Sequence, residues 1–132
     1  NENLLEAYKN TKLTKKNLEW HFEIVKSGLK VNKAGIKVAS EIGSEHVSDA
    51  IAYSLVLNLR SLYLVDKLMR NKPWSNKELI SLIKKITGSN KAYEGYLRVK
   101  ADKKRLENLP IDQAYKLYEY MLNEINNQEK SI

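Results

Sequence analysis

The chain has 132 residues, of which 42% are hydrophobic and 30% are charged, and it contains no cysteine. This composition is typical of one globular domain, and the missing cysteines exclude disulfides, thiolate metal sites and a cysteine nucleophile. The 23 Lys and Arg against 16 Asp and Glu leave a net charge of +7, which permits attraction to nucleic acid, nucleotides or an acidic protein surface.

Turn-forming residues are scarce, with 5 Gly and 2 Pro, so long helices fit the chain better than a sandwich or barrel of short strands. No apolar run approaches the ~20 residues that span a bilayer, and nothing resembles a signal peptide. We therefore expect a single helical domain over residues 1–132, located in the cytoplasm and without a membrane contact.

Apolar residues recur at helical spacing from the start of the chain. Leu4, Leu5 and Tyr8 predict a short first helix. Thr14 is a plausible N-cap for a long amphipathic helix that ends near Gly43, with an apolar stripe made of Leu18, Phe22, Val25, Leu29, Ile36 and Ala39.

The next helix is the most hydrophobic segment, from a cap at Ser48 to about Arg70, and is predicted to form the centre of the core. Its apolar face comprises Ile51, Leu55, Leu59, Leu62, Val65, Leu68 and Met69. A turn follows, and then Ser75 and Glu78 stand at the capping-box spacing before a third helix that stops at Gly88.

Ser89 can cap a fourth helix that ends before Pro110 and carries Tyr93, Tyr96, Leu97 and Val99. A fifth helix follows Pro110, with Ala114, Leu117, Tyr118, Met121, Leu122 and Ile125 on one side, and the tail from Asn126 is expected to fray. Short links between helices predict an all-α fold, an antiparallel four-helix up-and-down bundle with an additional short helix.

The densest chemical feature is the segment 93–105, where two tyrosines and five basic residues share the predicted fourth helix. Aromatic and basic groups together suit stacking on a base and contacting phosphate, with Tyr96, Lys100 and Lys103 close to one face. Tyrosines at this spacing also pack in cores, and a basic run is often only solvated surface. Both interpretations stay open at this point.

Arg60 and Asp66 interrupt the most apolar helix, where an unpaired charge is expensive. One interpretation is a structural salt bridge across helices; the other is a polar site lined by Arg60, Asp66 and Arg98. The histidines, His21 and His46, have no partners at a persuasive metal-ligand spacing, so we expect no metal, no cofactor and no catalytic residues.

Gly43 and Ser44 could open a nucleotidyltransferase motif, but no pair of metal-binding aspartates follows, so a helix stop is the simpler interpretation. Trp20 and Trp74 are candidate interface anchors, although Trp74 beside Pro73 fits better as a staple of the turn onto the core.

The segments 48–68, 75–79 and 92–98 resemble the C-terminal helical domain of archaeal minimal nucleotidyltransferase-type proteins, within or near the HEPN group of helical bundles. The resemblance covers roughly residues 14–125. It implies a bundle, a tendency to form homodimers, and a binding groove near Arg60 and Arg98. Because the chain opens at Asn1 without a methionine, it is expected to be a fragment or partner of a longer nucleotidyltransferase system.

Ribonucleases of the HEPN group carry a histidine four to six residues after an arginine on the matching helix. Here Arg60 is followed by Asp66 and Lys67, so the resemblance does not imply nuclease activity. The leading hypothesis is a non-catalytic helical domain that binds a nucleotidyltransferase domain, in cis or in trans, or its nucleotide substrate. The residues expected to bind are Arg60, Asp66, Tyr96, Arg98 and Lys100. The alternative is a small basic protein that binds RNA or DNA through Lys/Arg-rich helix faces.

Overall fold

The computed structural model describes residues 14–132, and the short helix predicted around Leu4 to Tyr8 lies outside the described residues. Within them the fold is all-α, with one very small sheet. The helices are α1 (Lys15–Glu41), α2 (Asp49–Met69), α3 (Asn76–Thr87), α4 (Lys91–Lys100) and α5 (Ile111–Lys130). Strands β1 (His46–Val47) and β2 (Leu109–Pro110) pair antiparallel, a pairing that the hydrophobic periodicity does not reveal.

Three helices begin at the capping residues that the sequence predicts. The side chains of Thr14, Ser48 and Ser75 accept hydrogen bonds from backbone N–H groups in the first turns of α1, α2 and α3. Each side chain satisfies a donor that has no partner inside its helix, which fixes the starting residue. Gly43 and Gly88 follow the ends of α1 and α3 with positive φ, as the predicted stops require.

The fourth helix is shorter than predicted, which changes the placement of the basic residues. It ends at Lys100, and Asp102 adopts a left-handed φ of 55°. Lys103 N–H donates to the Arg98 carbonyl at 2.8 Å and Asp102 N–H to the Val99 carbonyl at 3.1 Å, the paired bonds of a Schellman motif. Lys103, Lys104 and Arg105 therefore lie in an exposed loop, and the expected helical face shared by Tyr96, Lys100 and Lys103 does not exist.

Two other boundaries differ from the prediction. Asn90 rather than Ser89 occupies the N-cap of α4, although the Lys91 N–H still donates to the Ser89 hydroxyl at 3.3 Å. The predicted fraying from Asn126 is wrong, because α5 continues to Lys130. Gln128 is buried there and donates to the Leu62 carbonyl of α2 at 2.8 Å, which holds the last turns of α5 on the core.

The core lies around α2, which contacts α1, α4 and α5, while α5 also contacts α1 and α3. Most residues of the predicted apolar faces are buried or packed against the core. Leu97 of α4 and Leu122 of α5 are exceptions, since both are exposed. In residues 14–132, no helix combines the length and apolar character needed to cross a membrane.

Candidate functional site

Asp49 forms the best-connected ion pair among residues 14–132, and no motif in the sequence indicates it. Its carboxylate accepts from Arg98 Nε at 2.6 Å and Arg98 Nη2 at 2.9 Å, and its side chain is 1% exposed. The Leu106 N–H donates to the same carboxylate at 2.9 Å. The pair joins α4 and the loop after it to the first residue of α2.

The electrostatics of this pair follow from its hydrogen bonds. The Arg98 guanidinium, helped by the Leu106 N–H, holds the pKa of the Asp49 carboxyl below its ordinary value against the opposing effect of burial. The Asp49 carboxylate in turn raises the pKa of Arg98. Both groups therefore remain charged, and the guanidinium edge of Arg98 is already engaged with a carboxylate.

The structure does not bring Arg98 together with Arg60 and Asp66. Arg98 contacts Asp49, and along α2 the rise of ~1.5 Å per residue puts Arg60 roughly 16 Å and Asp66 roughly 25 Å beyond Asp49. The expected polar site lined by all three residues is therefore wrong. Asp66 pairs instead with Arg70 of its own helix at 3.0 Å, so the expected salt bridge between helices is not formed by this residue either.

Tyr96 and Lys100 do lie together. Tyr96 is buried and stacks on Tyr53, with ring centroids 5.3 Å apart, and on Tyr93 at 5.6 Å. Lys100 Nζ lies 5.7 Å from the centroid of the Tyr96 ring. The Tyr96 ring thus has aromatic and cationic neighbours within the fold, as the core interpretation of the tyrosines predicts.

Arg60 is a candidate residue that forms no ion pair and no hydrogen bond through its buried guanidinium atoms within the described fold. It is 8% exposed, and its Nε and Nη2 atoms are buried without any hydrogen-bond partner in residues 14–132. Its guanidinium carbon lies 5.9 Å from the centroid of the Trp74 ring, and Trp74 packs against the core from the turn between α2 and α3. Cation–π contact offsets only part of the desolvation of a buried cation.

The α2–α3 turn that carries Trp74 is held in place by Tyr63. Its hydroxyl accepts from the Ser75 N–H at 3.2 Å and donates to Glu78 Oε1 at 2.9 Å. Lys67 Nζ lies 2.7 Å from the same Glu78 oxygen. These contacts fix the turn beside Arg60, so the indole of Trp74 is positioned by the fold and not by Arg60 alone.

A second polar region lies where the end of α2 meets the end of α5, in a groove of about 280 Å³ lined by Asp66, Arg70, Glu124 and Gln128 among others. Burial raises the pKa of Glu124, and the Asp66 charge adds to the rise.

Burial also lowers the pKa of His21, so its neutral form is favoured. In residues 14–132, no three His, Asp or Glu side chains are grouped so as to hold a metal ion.

No family model, no curated protein and no solved structure matches this chain.

Proposed function

We propose that this chain is a non-catalytic helical domain that binds a nucleotidyltransferase domain, in cis or in trans, or that domain's nucleotide substrate. The expected antiparallel four-helix arrangement and a cytoplasmic location belong to the same proposal. The observation that carries it is that the Nε and Nη2 atoms of Arg60 are buried and have no hydrogen-bond partner among residues 14–132. A buried charge without a partner costs several kcal/mol, so Arg60 is better explained by a bound anion than by stability.

A phosphate group has the acceptors that Arg60 lacks. Two phosphate oxygens match the planar fork of a guanidinium, and the low dielectric of a buried site strengthens the bonds. Trp74 adds an aromatic face beside the guanidinium, which suits the base or ribose of a nucleotide. Arg98 is held by Asp49 and Tyr96 by its neighbours, so the proposal assigns the phosphate contact to Arg60.

Trp74 provides the readout for the test. In a Trp20→Phe background, ATP and pyrophosphate are titrated while Trp74 fluorescence and the heat of binding are followed at two salt concentrations. Binding that saturates and changes Trp74 fluorescence, and that weakens about tenfold or more in Arg60→Met, supports the proposal. Arg70→Ala is the matched control, because Arg70 is an exposed arginine of the turn that ends α2.

Two results would count against this assignment. Equal affinity in Arg60→Met would place the nucleotide elsewhere, and no binding of either ligand would leave only the protein-docking half of the proposal. Because a lost arginine could also disturb the fold, the unfolding transition of each variant is recorded first.

The alternative, binding of RNA or DNA, is favoured by one specific observation. Residues 101–107 are exposed, and they carry Lys103, Lys104 and Arg105 outside any helix. A loop of this kind can follow a phosphate backbone, with affinity that falls steeply as salt rises. RNA binding that is salt-sensitive, lost in a Lys103→Ala, Lys104→Ala, Arg105→Ala variant and retained in Arg60→Met would favour it over the nucleotide site.

A further inference from the structure

Two buried polar atoms that lack a hydrogen bond belong to side chains that interact with each other. Within residues 14–132, His21 Nε2 of α1 and Gln128 Oε1 of α5 are buried, and neither meets the geometry of a hydrogen bond. The two side chains still interact, because Gln128 raises the pKa of His21. A neutral side chain raises the pKa of an imidazole by accepting a hydrogen bond from the charged ring, and only the oxygen of an amide accepts. Gln128 Oε1 therefore faces the His21 ring.

The amide of Gln128 is fixed from its nitrogen end. Gln128 is 3% exposed, and its Nε2 donates to the Leu62 carbonyl of α2 at 2.8 Å and to Glu124 Oε2 at 3.4 Å. Because a carbonyl can only accept, the nitrogen has to occupy this end of the amide and the oxygen the other end. Gln128 thereby connects three helices, α5 to which it belongs, α2 through Leu62 and α1 through His21.

This arrangement determines which ring nitrogen of neutral His21 carries the proton. An amide oxygen beside an unprotonated nitrogen would bring two acceptors together in a buried position. A proton on Nε2 instead gives each of the two buried atoms the partner that it lacks. His21 therefore donates from Nε2 to Gln128 Oε1.

A protonated His21 would have no opposite charge to compensate it. Four charged groups belong to the parts of α2 and α5 around Gln128: Asp66, Arg70, Glu124 and Glu129. Asp66 pairs with Arg70 at 3.0 Å, and Glu129 pairs with Lys26 of α1 at 2.7 Å. None of these described charges contributes to the pKa of His21, which burial lowers and Gln128 raises.

Glu124 does not supply the missing charge when the pH falls. Burial raises the pKa of Glu124, so its carboxyl takes up a proton early in an acid titration. Protonation of His21 would then place a lone cation in a packed position, at a desolvation cost that ends only when the ring reaches water. The folded chain therefore binds this proton less readily than the unfolded chain, in which the ordinary value of 6.5 applies.

We infer that the contact between His21 and Gln128 is a pH-sensitive latch, which holds the end of α5 on α1 and α2 at neutral pH and releases it when His21 is protonated. The end of α5 is the segment that opens, because after Ile125 the only buried residue of this helix is Gln128. The exposed Lys26–Glu129 pair contributes little to holding it. The inference goes beyond the proposed function and does not depend on it, since neither latch residue belongs to the Arg60 site.

The sign of the pH dependence follows from the lowered pKa of His21. The stability that the latch contributes is complete above about pH 6.5 and is lost as the pH falls through the lowered value of the folded state. Between about pH 7.5 and about pH 5.5 the loss amounts to a factor of at most about ten, because the lower pH lies one unit below 6.5.

NMR of the His21 ring tests the contact itself. At about pH 7.5 the ring should carry its proton on Nε2, and Gln128→Met, which removes the accepting oxygen at similar volume, should lower the pKa of His21. Asn127→Met, the same change at the exposed neighbour, should leave that pKa unchanged. A proton on Nδ1, or a pKa of His21 that Gln128→Met does not lower, would overturn the inference.

Hydrogen exchange of α5 tests the release. In a Glu124→Gln background, which removes the opposite titration of Glu124, amides 126–130 should open more often at about pH 5.5 than at about pH 7.5, by a factor of up to about ten after correction for intrinsic rates. Amides around Leu117 should not. His21→Phe should abolish this pH dependence, whereas His46→Phe, the same change at the histidine of β1, should retain it. A pH dependence that persists in His21→Phe, or none in the unchanged histidine chain, would refute the latch.

Discussion

Asp49 connects three segments through one carboxylate: the start of α2, Arg98 of α4 and the loop that contains Leu106. The Asp49 N–H also donates to the Leu106 carbonyl at 2.9 Å, so the loop is bonded in both directions. Since the carboxylate is almost fully buried, loss of its cation would leave a charge in a low-dielectric environment.

We expect Arg98→Met to lower the free energy of unfolding by about 3–5 kcal/mol, the usual cost of breaking a buried pair by removing one partner. Urea denaturation at neutral pH measures it. Arg70→Ala is the matched control, because the Asp66–Arg70 pair is partly exposed and should cost less than about 1 kcal/mol. Similar losses in the two variants would mean that the Asp49–Arg98 pair does not hold the loop.

Glu124 should destabilise the chain at neutral pH. Burial and the nearby Asp66 charge raise its pKa above the unfolded-state value, so the folded state favours the protonated carboxyl. Its contribution is therefore favourable at low pH and is lost as the pH rises through the raised value. Glu124→Gln should raise the melting temperature at pH 7, with a gain that shrinks below about pH 4, where the carboxyl is protonated in both states.

If Glu124→Gln changed the melting temperature equally at pH 4 and pH 7, the raised pKa of Glu124 would not be the cause of the change. Glu119→Gln serves as the control, since Glu119 is an exposed residue of the same helix.

Sequence patterns located Arg60 and Tyr96 as notable residues but not Asp49, and the reason is physical. An acidic residue directly after a serine N-cap is common at the solvent-exposed start of a helix, because it interacts favourably with the helix dipole. Asp49 is buried because α4 packs against it at Gly95 and the loop after α4 folds over it, and the sequence pattern predicts a helix where that loop lies. The ion-pair partner of Asp49 cannot be identified from helical spacing, because Arg98 lies 49 residues away in the chain.

Helix starts were more predictable than helix ends. A side-chain cap is encoded by one residue, as at Thr14, Ser48 and Ser75, and glycine marked the stops of α1 and α3. Asp102 follows the end of α4 in the same left-handed conformation but is not a glycine, so the sequence does not predict where this helix ends. The end of α5 was missed because Gln128 is polar but buried.

Gly95 is needed where α4 crosses the start of α2. A Cβ added there would lie 2.9 Å from Asp49 Oδ1 and 3.0 Å from the Ala52 Cβ, closer than these atoms tolerate. Asp49 is fixed by Arg98 and the Ala52 Cβ by its backbone, so neither can yield easily. We expect Gly95→Ala to destabilise the chain by about 1–3 kcal/mol, although alanine is the better helix former.

Thermal and urea unfolding of Gly95→Ala, beside Ser81→Ala at an exposed position of α3, would measure this effect. A stabilised Gly95→Ala chain would show that α4 can move away from α2 at little cost.

At the scale of the whole molecule, the all-α class follows from composition and periodicity. Which apolar surfaces are buried and which stay exposed does not. The α1 pattern predicts the buried side of the helix and singles out Trp20, but it does not reveal that Ile24, Val31, Val38 and Ile42 form a second, exposed apolar side. A helix with apolar residues on two sides looks the same in sequence whether one side or both are covered.

The central claim is that Arg60 is retained for a ligand and not for the fold. The most direct measurement is the free energy of unfolding of Arg60→Met without nucleotide, compared with the unchanged chain by urea denaturation. We predict that the variant is at least as stable as the unchanged chain. The lost cation–π contact with Trp74 is worth up to ~2 kcal/mol, and removing an uncompensated buried charge should outweigh it. A loss clearly larger than this would contradict the claim, since it would show that the fold itself depends on the guanidinium.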